Sequence, residues 1–161
     1  MKNCDNKSVG VIIQSPEGEF ALLKRARFPI GIAPPAGHID EHGLPEQAAV
    51  IEVQEELGLV IAINRLRNTV IQDRRVDNLC RRPGGDHHNW WVYESNEYSG
   101  ELAPNADETQ GADWHNPDQL QALADRTKAF QTGQVGQEEW QTSPGLEEIW
   151  LDFFTELGYV Q

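Results

Sequence analysis

Residues 8–14 (SVGVIIQ) and 19–25 (EFALLKR) are apolar runs on either side of Ser15-Pro16-Glu17-Gly18, which predicts two strands joined as a hairpin. A Pro- and Gly-rich loop follows over residues 26–36. Pro45 suits the first turn of a helix and Gly58 its end, so a helix is expected from Pro45 to Leu57. Ala49, Val53 and Leu57 recur at four-residue spacing and supply its buried stripe. Alternating apolar positions over residues 59–72 predict strand, turn and strand. Residues 86–95 (DHHNWWVYES) read as a central strand, with Trp90 and Trp91 on opposite faces. Residues 94–118 are acidic and loop-like, and Asn116-Pro117 caps a helix running to about residue 124. Residues 128–141 are polar and receive no assignment. Beyond Ser143-Pro144, Leu146, Ile149, Trp150, Phe153, Phe154 and Leu157 follow a helical period, which marks an amphipathic helix packed on the core. The same face could also form part of a homodimer contact.

No internal repeat or linker divides the 161 residues, so a single domain over 1–161 is expected. Five Trp and five Phe are enough to furnish a core. A net charge of −13 argues against nucleic acid or a membrane surface as partner, since both are polyanionic. Cys4 and Cys80 are too few and too far apart for a disulfide framework, which favours a reducing cytoplasm over export. The opening six residues are polar, and no apolar run reaches transmembrane length. His87 and His88 near Cys80 invite a zinc reading, but too few ligands stand at zinc spacing and it is set aside.

Within the predicted helix, Glu52 shares a face with Glu55 and Glu56. Like charges at i,i+3 and i,i+4 are mildly destabilising unless a cation sits over them. A hard divalent ion such as Mg²⁺ takes oxygen ligands and recruits water and phosphate for the rest of its shell.

The stretch from Gly37 to Leu59 resembles the signature of the Nudix hydrolases, G-x5-E-x7-R-E-U-x-E-E-x-G-U, where U is aliphatic. Gly37, Glu52, Val53, Glu55, Glu56, Gly58 and Leu59 match it, whereas Gly43 replaces its first Glu and Ile51 its Arg. In the family those two residues pair with each other, so their joint loss looks like an ion pair exchanged for apolar packing. The resemblance, which covers residues 8–120, implies a MutT-like Nudix α/β/α sandwich with a mixed curved sheet. It further implies metal-dependent hydrolysis of a diphosphate linkage in a nucleoside diphosphate derivative, by water attack on phosphorus. Mg²⁺ would be the cofactor, with Mn²⁺ able to replace it. Glu52, Glu55 and Glu56 would be catalytic and metal-binding, and Glu52 would take the proton from water. The carbonyl of Gly37 would complete the inner set. Glu108 stands six residues before Trp114, an offset at which some Nudix enzymes carry a further metal ligand. An alternative is a Nudix-fold nucleotide-binding or regulatory module with weak or no catalysis, although the three helix carboxylates argue against it.

Arg65, Arg67, Arg74, Arg75, Arg81 and Arg82 hold six of the chain's 13 basic residues in one short stretch. A guanidinium offers a planar fork of donors that matches phosphate oxygens. Arg81 and Arg82 are the preferred pair for a diphosphate, since they precede the Gly84-Gly85 turn and the next strand. Trp90 is the candidate to stack on a nucleobase, against the commoner role of a core tryptophan.

Overall fold

β1 (Lys7–Ile13) sends alternate side chains to opposite faces, and both faces are buried. Val9, Val11 and Ile13 pack in one apolar cluster with α1 (Pro45–Leu57), whereas Ile12 joins a second cluster on the other face. The computed structural model describes residues 1–161 and arranges the remaining elements on this plan. A mixed sheet has β1 between β4 (Ala36–His38) and β6 (His88–Ser95), with β5 (Asn68–Val76) at the edge beyond β6. β1 and β6 run parallel, and the other pairings are antiparallel. A second, antiparallel sheet places β2 (Phe20–Arg25) between β3 (Ile32–Ala33) and β7 (Thr109–His115).

The helices cover both faces. α1 lies on one side, and α2 (Pro117–Gln131) and α4 (Glu148–Glu156) lie on the other, with short α3 (Gln137–Thr142) between them in the chain. The expected α/β/α sandwich is therefore present, its middle layer split between two sheets. No helix is long and apolar enough to cross a membrane.

α1 has its predicted bounds because local signals agree. Pro45 occupies the first turn, Ala49, Val53 and Leu57 are fully buried, and Gly58 takes the left-handed conformation at φ 71° that ends the helix. Leu44 offers no side-chain acceptor at the N-cap, but Gln47 Oε1 accepts its backbone N–H at 2.8 Å. β6 is the expected central strand, and Trp90 and Trp91 do belong to opposite clusters.

Several expectations are corrected. β1 and β2 do not form a hairpin ladder, because past the single bridge between Gln14 and Phe20 they part into different sheets. Residues 59–72 contribute one strand, since the first half makes only the bridge from Val60 to Ser99 and a 3-10 turn over Ile63–Arg65. The acidic segment contains β7, where pairing with β2 overrides a polar composition. α2 continues to Gln131 and absorbs residues left unassigned. Its continuation is buried at Thr127, whose hydroxyl donates to the carbonyls of Leu123 and Leu146. The last helix starts at Glu148, four residues beyond Pro144, because Leu146 is drawn into a bridge with Ile32. Ile149, Trp150, Phe153 and Phe154 are buried within the protein, as the core-packing reading requires.

Gly10 lets Trp150 lie close on the sheet, since a β-carbon there would come within 2.5 Å of the indole ring. Gly10→Ala is expected to destabilise the protein by about 1–3 kcal/mol, as overpacking of a dense core does. The urea midpoint against wild type measures it.

Candidate active site

Glu52 and Glu56 stand one turn apart on α1, beside its buried stripe, and turn onto the backbone of β4. Glu56 is only 8% exposed, and its Oε2 accepts the Ala36 N–H at 2.9 Å. Glu52 lies over Gly37 so closely that a β-carbon on that residue would fall 2.2 Å from the carboxyl carbon. Glycine at 37 is thus required by close approach rather than by a turn.

The register with β1 decides which backbone groups face these glutamates. Val11 N–H donates to the Pro35 carbonyl and Ile39 N–H to the Lys7 carbonyl, so alternation puts Gly37 in a hydrogen-bonded pair with Val9. The Gly37 carbonyl, expected to face a metal, is therefore directed at β1. Ala36 presents its N–H and carbonyl on the opposite edge, towards α1.

Glu55 is exposed, and a carboxylate oxygen of Glu55, one of Glu52 and a ring nitrogen of His42 all lie within 4.8 Å of one another. Glu108, immediately before β7, borders the same cleft of about 310 Å³. Its charge adds to the field on both Glu52 and Glu56. Burial first, then the neighbouring Glu55, Glu108 and Asp40, pushes Glu52 up to about 8. Glu56 is also pushed up to about 8, by burial and then by Glu52, against the Ala36 N–H and Arg25. Glu147, just before α4, is buried in the cleft wall and raised by burial, which the Arg25 guanidinium 3.5 Å away opposes.

Of the predicted arginine stretch, Arg67 is exposed and lies outside the cleft lining, and the other five separate into two groups. Arg65, Arg74 and Arg75 form surface ion pairs with Glu97, Glu156 and Asp77. Arg81 and Arg82 border the cleft as expected, but they differ. Arg82 is half-buried and its Nη1 donates to both oxygens of Asp40, at 2.9 and 2.8 Å. Burial opposes that pairing, yet Arg82 holds the Asp40 carboxyl below its usual value. Arg81 is exposed and forms no ion pair, and Arg27 is its counterpart on the segment after β2. Trp90 is 6% exposed and packs edge-on against Trp150 and Phe153, so it belongs to the core while also bordering the cleft.

His42, Asp40, Arg25, Arg27 and Glu147 escaped the sequence reading. Arg25 ends a readable strand and Arg27 follows it, so their place at the cleft could be found from the fold. His42 and Glu147 carry no local signal. Cys4, His38, Cys80 and His88 converge at one end of the site. Burial and the Arg82 charge drive the His38 imidazole down to about 4.

Residues 5–134 match the NUDIX domain family. Among solved structures, a MutT NUDIX hydrolase from Burkholderia pseudomallei is 26% identical with a TM-score of 0.55, over 71% of this chain and 84% of that one. A MutT protein from Methanosarcina mazei Go1 is 15% identical with a TM-score of 0.65, over 98% of this chain and 96% of that one. An Ap4A hydrolase from C. elegans, solved as a binary complex, is 24% identical with a TM-score of 0.50, over 79% and 99%. Comparison with curated proteins gives no match.

The raised carboxyls set a pH dependence. Glu52 and Glu56 are protonated in the folded chain and ionised in the unfolded one between their ordinary 4.5 and about 8. The folded state binds more protons there, so stability falls as pH rises through that interval and levels off above it. His38, lowered from 6.5, acts in the opposite sense, but only below 6.5. The urea midpoint of chelator-treated protein is therefore expected to fall between pH 6.5 and 8, and added Mg²⁺ to reverse the fall. A midpoint flat across that window would contradict the burial of these carboxylates.

Proposed function

The chain belongs to the Nudix family and is a pyrophosphohydrolase of phosphoanhydride bonds, and from that premise we propose that it cleaves the diphosphate linkage of a nucleoside diphosphate derivative with Mg²⁺ as cofactor. The observation that carries this reading is the pairing of buried Glu56 with half-buried Glu52 on bare β4 backbone, with Glu55 and Glu108 at the same cleft.

The donor set fits a hard divalent ion. It is built from carboxylate oxygens, and its mutual repulsion in a partly buried cleft is relieved by a cation. Glu52, Glu55 and Glu56 would hold the ion, with Glu108 as a further ligand and the Ala36 carbonyl, rather than that of Gly37, as backbone donor. Such an ion, when bound, supplies charge neutralisation for the diphosphate and acidifies a water molecule.

The chain's own residues supply the rest. Glu56 Oε2 is fixed by the Ala36 N–H, which leaves its other oxygen to face the cleft. Glu52 lacks that restraint and carries a raised proton affinity, the property required of a group that takes a proton from water. Arg81 and Arg27 are free to bind phosphate oxygens, whereas Arg82, engaged by Asp40, orients the loop that carries Arg81. Trp90, almost wholly buried, would contribute only an apolar edge to the cleft.

Glu56→Gln is expected to lower kcat/KM by on the order of 10²-fold or more, the scale seen when one preorganised electrostatic group is removed. Folding should survive, because the glutamine carbonyl can still accept the Ala36 N–H. Product release from a panel of nucleoside triphosphates, nucleotide sugars, ADP-ribose and dinucleoside polyphosphates, with and without Mg²⁺ or Mn²⁺, measures it. Turnover equal to wild type in the variant would overturn the site assignment. Arg81→Ala should raise KM with a smaller change in kcat on the same substrate, because it removes binding to phosphate rather than the reacting groups.

A further inference from the structure

Four side chains from four separate segments meet where β1 enters the sheet. Cys4 precedes β1, His38 ends β4, Cys80 lies on the loop between β5 and β6, and His88 begins β6. One ligand-capable atom of each lies within 4.8 Å of the other three. Cys4 Sγ is 3.4 Å from His38 Nε2 and 3.3 Å from His88 Nε2, and Cys80 Sγ is 3.3 Å from His38 Nε2. A tetrahedral zinc ion with bonds of about 2.3 Å to sulfur and about 2.0–2.1 Å to nitrogen holds those atoms about 3.6 Å apart. The observed separations are close to that value.

The fold accounts for this meeting. β1 lies between β4 and β6, with Ser8 opposite both His38 and Trp90 and Lys7 opposite Asn89. His38 and His88 therefore flank the N-terminal end of β1, over which the segment carrying Cys4 passes. Sequence spacing conceals the set, since Cys4 and His38 come from parts of the chain remote from Cys80 and His88. The neighbouring His87 pairs instead with Asp86.

Surrounding groups orient three of the four. Backbone N–H groups two residues on point at each sulfur, from Asn6 to Cys4 Sγ and from Arg82 to Cys80 Sγ, both at 3.3 Å. His88 Nδ1 pairs with Asn78 Oδ1 at 2.9 Å, which fixes the tautomer that leaves Nε2 as an electron-pair donor towards the centre. A β-carbon on Gly85 would lie 2.2 Å from Cys80 Cβ and 2.8 Å from Cys4 Sγ, so the loop can wrap the pair only with glycine there. A disulfide would engage the two sulfurs alone and leave the inward-facing imidazoles unexplained.

We propose that Cys4, His38, Cys80 and His88 form a structural Cys2His2 zinc site, which fastens the N-terminal segment and the arginine-bearing loop to the sheet beside the active-site cleft. Two sulfurs and two imidazole nitrogens in a closed, four-donor set select zinc over the hard ions that suit carboxylates. Cys80 immediately precedes Arg81 and Arg82, and Asp40, which holds Arg82, lies two residues beyond His38. The zinc would therefore hold the phosphate-binding loop in register with the carboxylates without touching substrate.

The full chain, purified under reducing conditions without chelator, is expected to carry about one zinc per molecule by elemental analysis. Cys80→Ser should lose it, and the double variant Glu52→Gln, Glu56→Gln should keep it. Because Cys80→Ser can fail to fold, cobalt(II) exchanged into wild-type protein provides a second reading. Strong visible absorption of a tetrahedral ion, with a thiolate charge-transfer band, is expected. The proposal is overturned by wild-type protein that retains no zinc and gives only the weak spectrum of octahedral cobalt. It is equally overturned by zinc that survives Cys80→Ser but is lost with the two glutamates. An inactive enzyme with intact zinc would instead count against the proposed function alone.

Discussion

Glu52 and Glu56 lie against the backbone of β4 from a helix whose apolar stripe already fixes its position, and the cleft depends on that contact. The stripe of Ala49, Val53 and Leu57 sets the rotation of α1, so the two glutamates have nowhere to turn but onto residues 36 and 37. One carboxylate satisfies a backbone donor that the ladder with β1 leaves unpaired, and the other occupies the space a side chain at 37 would fill. Burial of both raises their proton affinity. The same packing that holds the helix thus makes its acidic face costly to ionise unless positive charge arrives.

One of the two departures from the family signature, Gly43, has a backbone explanation that differs from simple apolar substitution. Gly43 sits at φ +95°, a conformation that L side chains rarely adopt, and Gln47 Oε1 lies 2.3 Å from where its β-carbon would be. That oxygen is the one accepting the Leu44 N–H, so the glutamine occupies the space a larger residue 43 would need. Ile51 is half-exposed and belongs to neither core cluster. The loop before α1 is therefore held by a glycine-dependent turn and the Gln47 capping contact, where the family pattern uses an ion pair.

What could be read from the sequence was whatever rests on neighbours along the chain. α1 carries proline, stripe and terminal glycine within fourteen residues, and each signal agrees with the others, so its bounds came out correctly. The strand period alone places Trp90 and Trp91 on opposite faces. The sheet partners of β2 and the existence of β7 depend instead on pairing between remote segments, and the acidity of residues 94–118 masked the strand. The same distinction divides the site. Glu52, Glu55 and Glu56 are legible because one helix carries them, whereas His42, Glu147, Arg27 and the set around Cys4 are brought in only by tertiary contacts.

Electrostatics then explains why arginines collect on the two segments that overhang the cleft. A chain of net charge −13 surrounds itself with a field that repels anions, and a cluster of glutamates at the cleft deepens it. A phosphoanhydride can approach such a surface only where local cations exceed that field, because screening over about 8–10 Å weakens the distant charges more than the near ones. Arg25 and Arg82 cannot supply this, since each already faces a carboxyl group, that of Glu147 and that of Asp40. Arg27 and Arg81 retain uncompensated charge, one on each segment. The acidic chain thus keeps local positive charge at the cleft because paired arginines shape the segments and leave Arg27 and Arg81 unpaired.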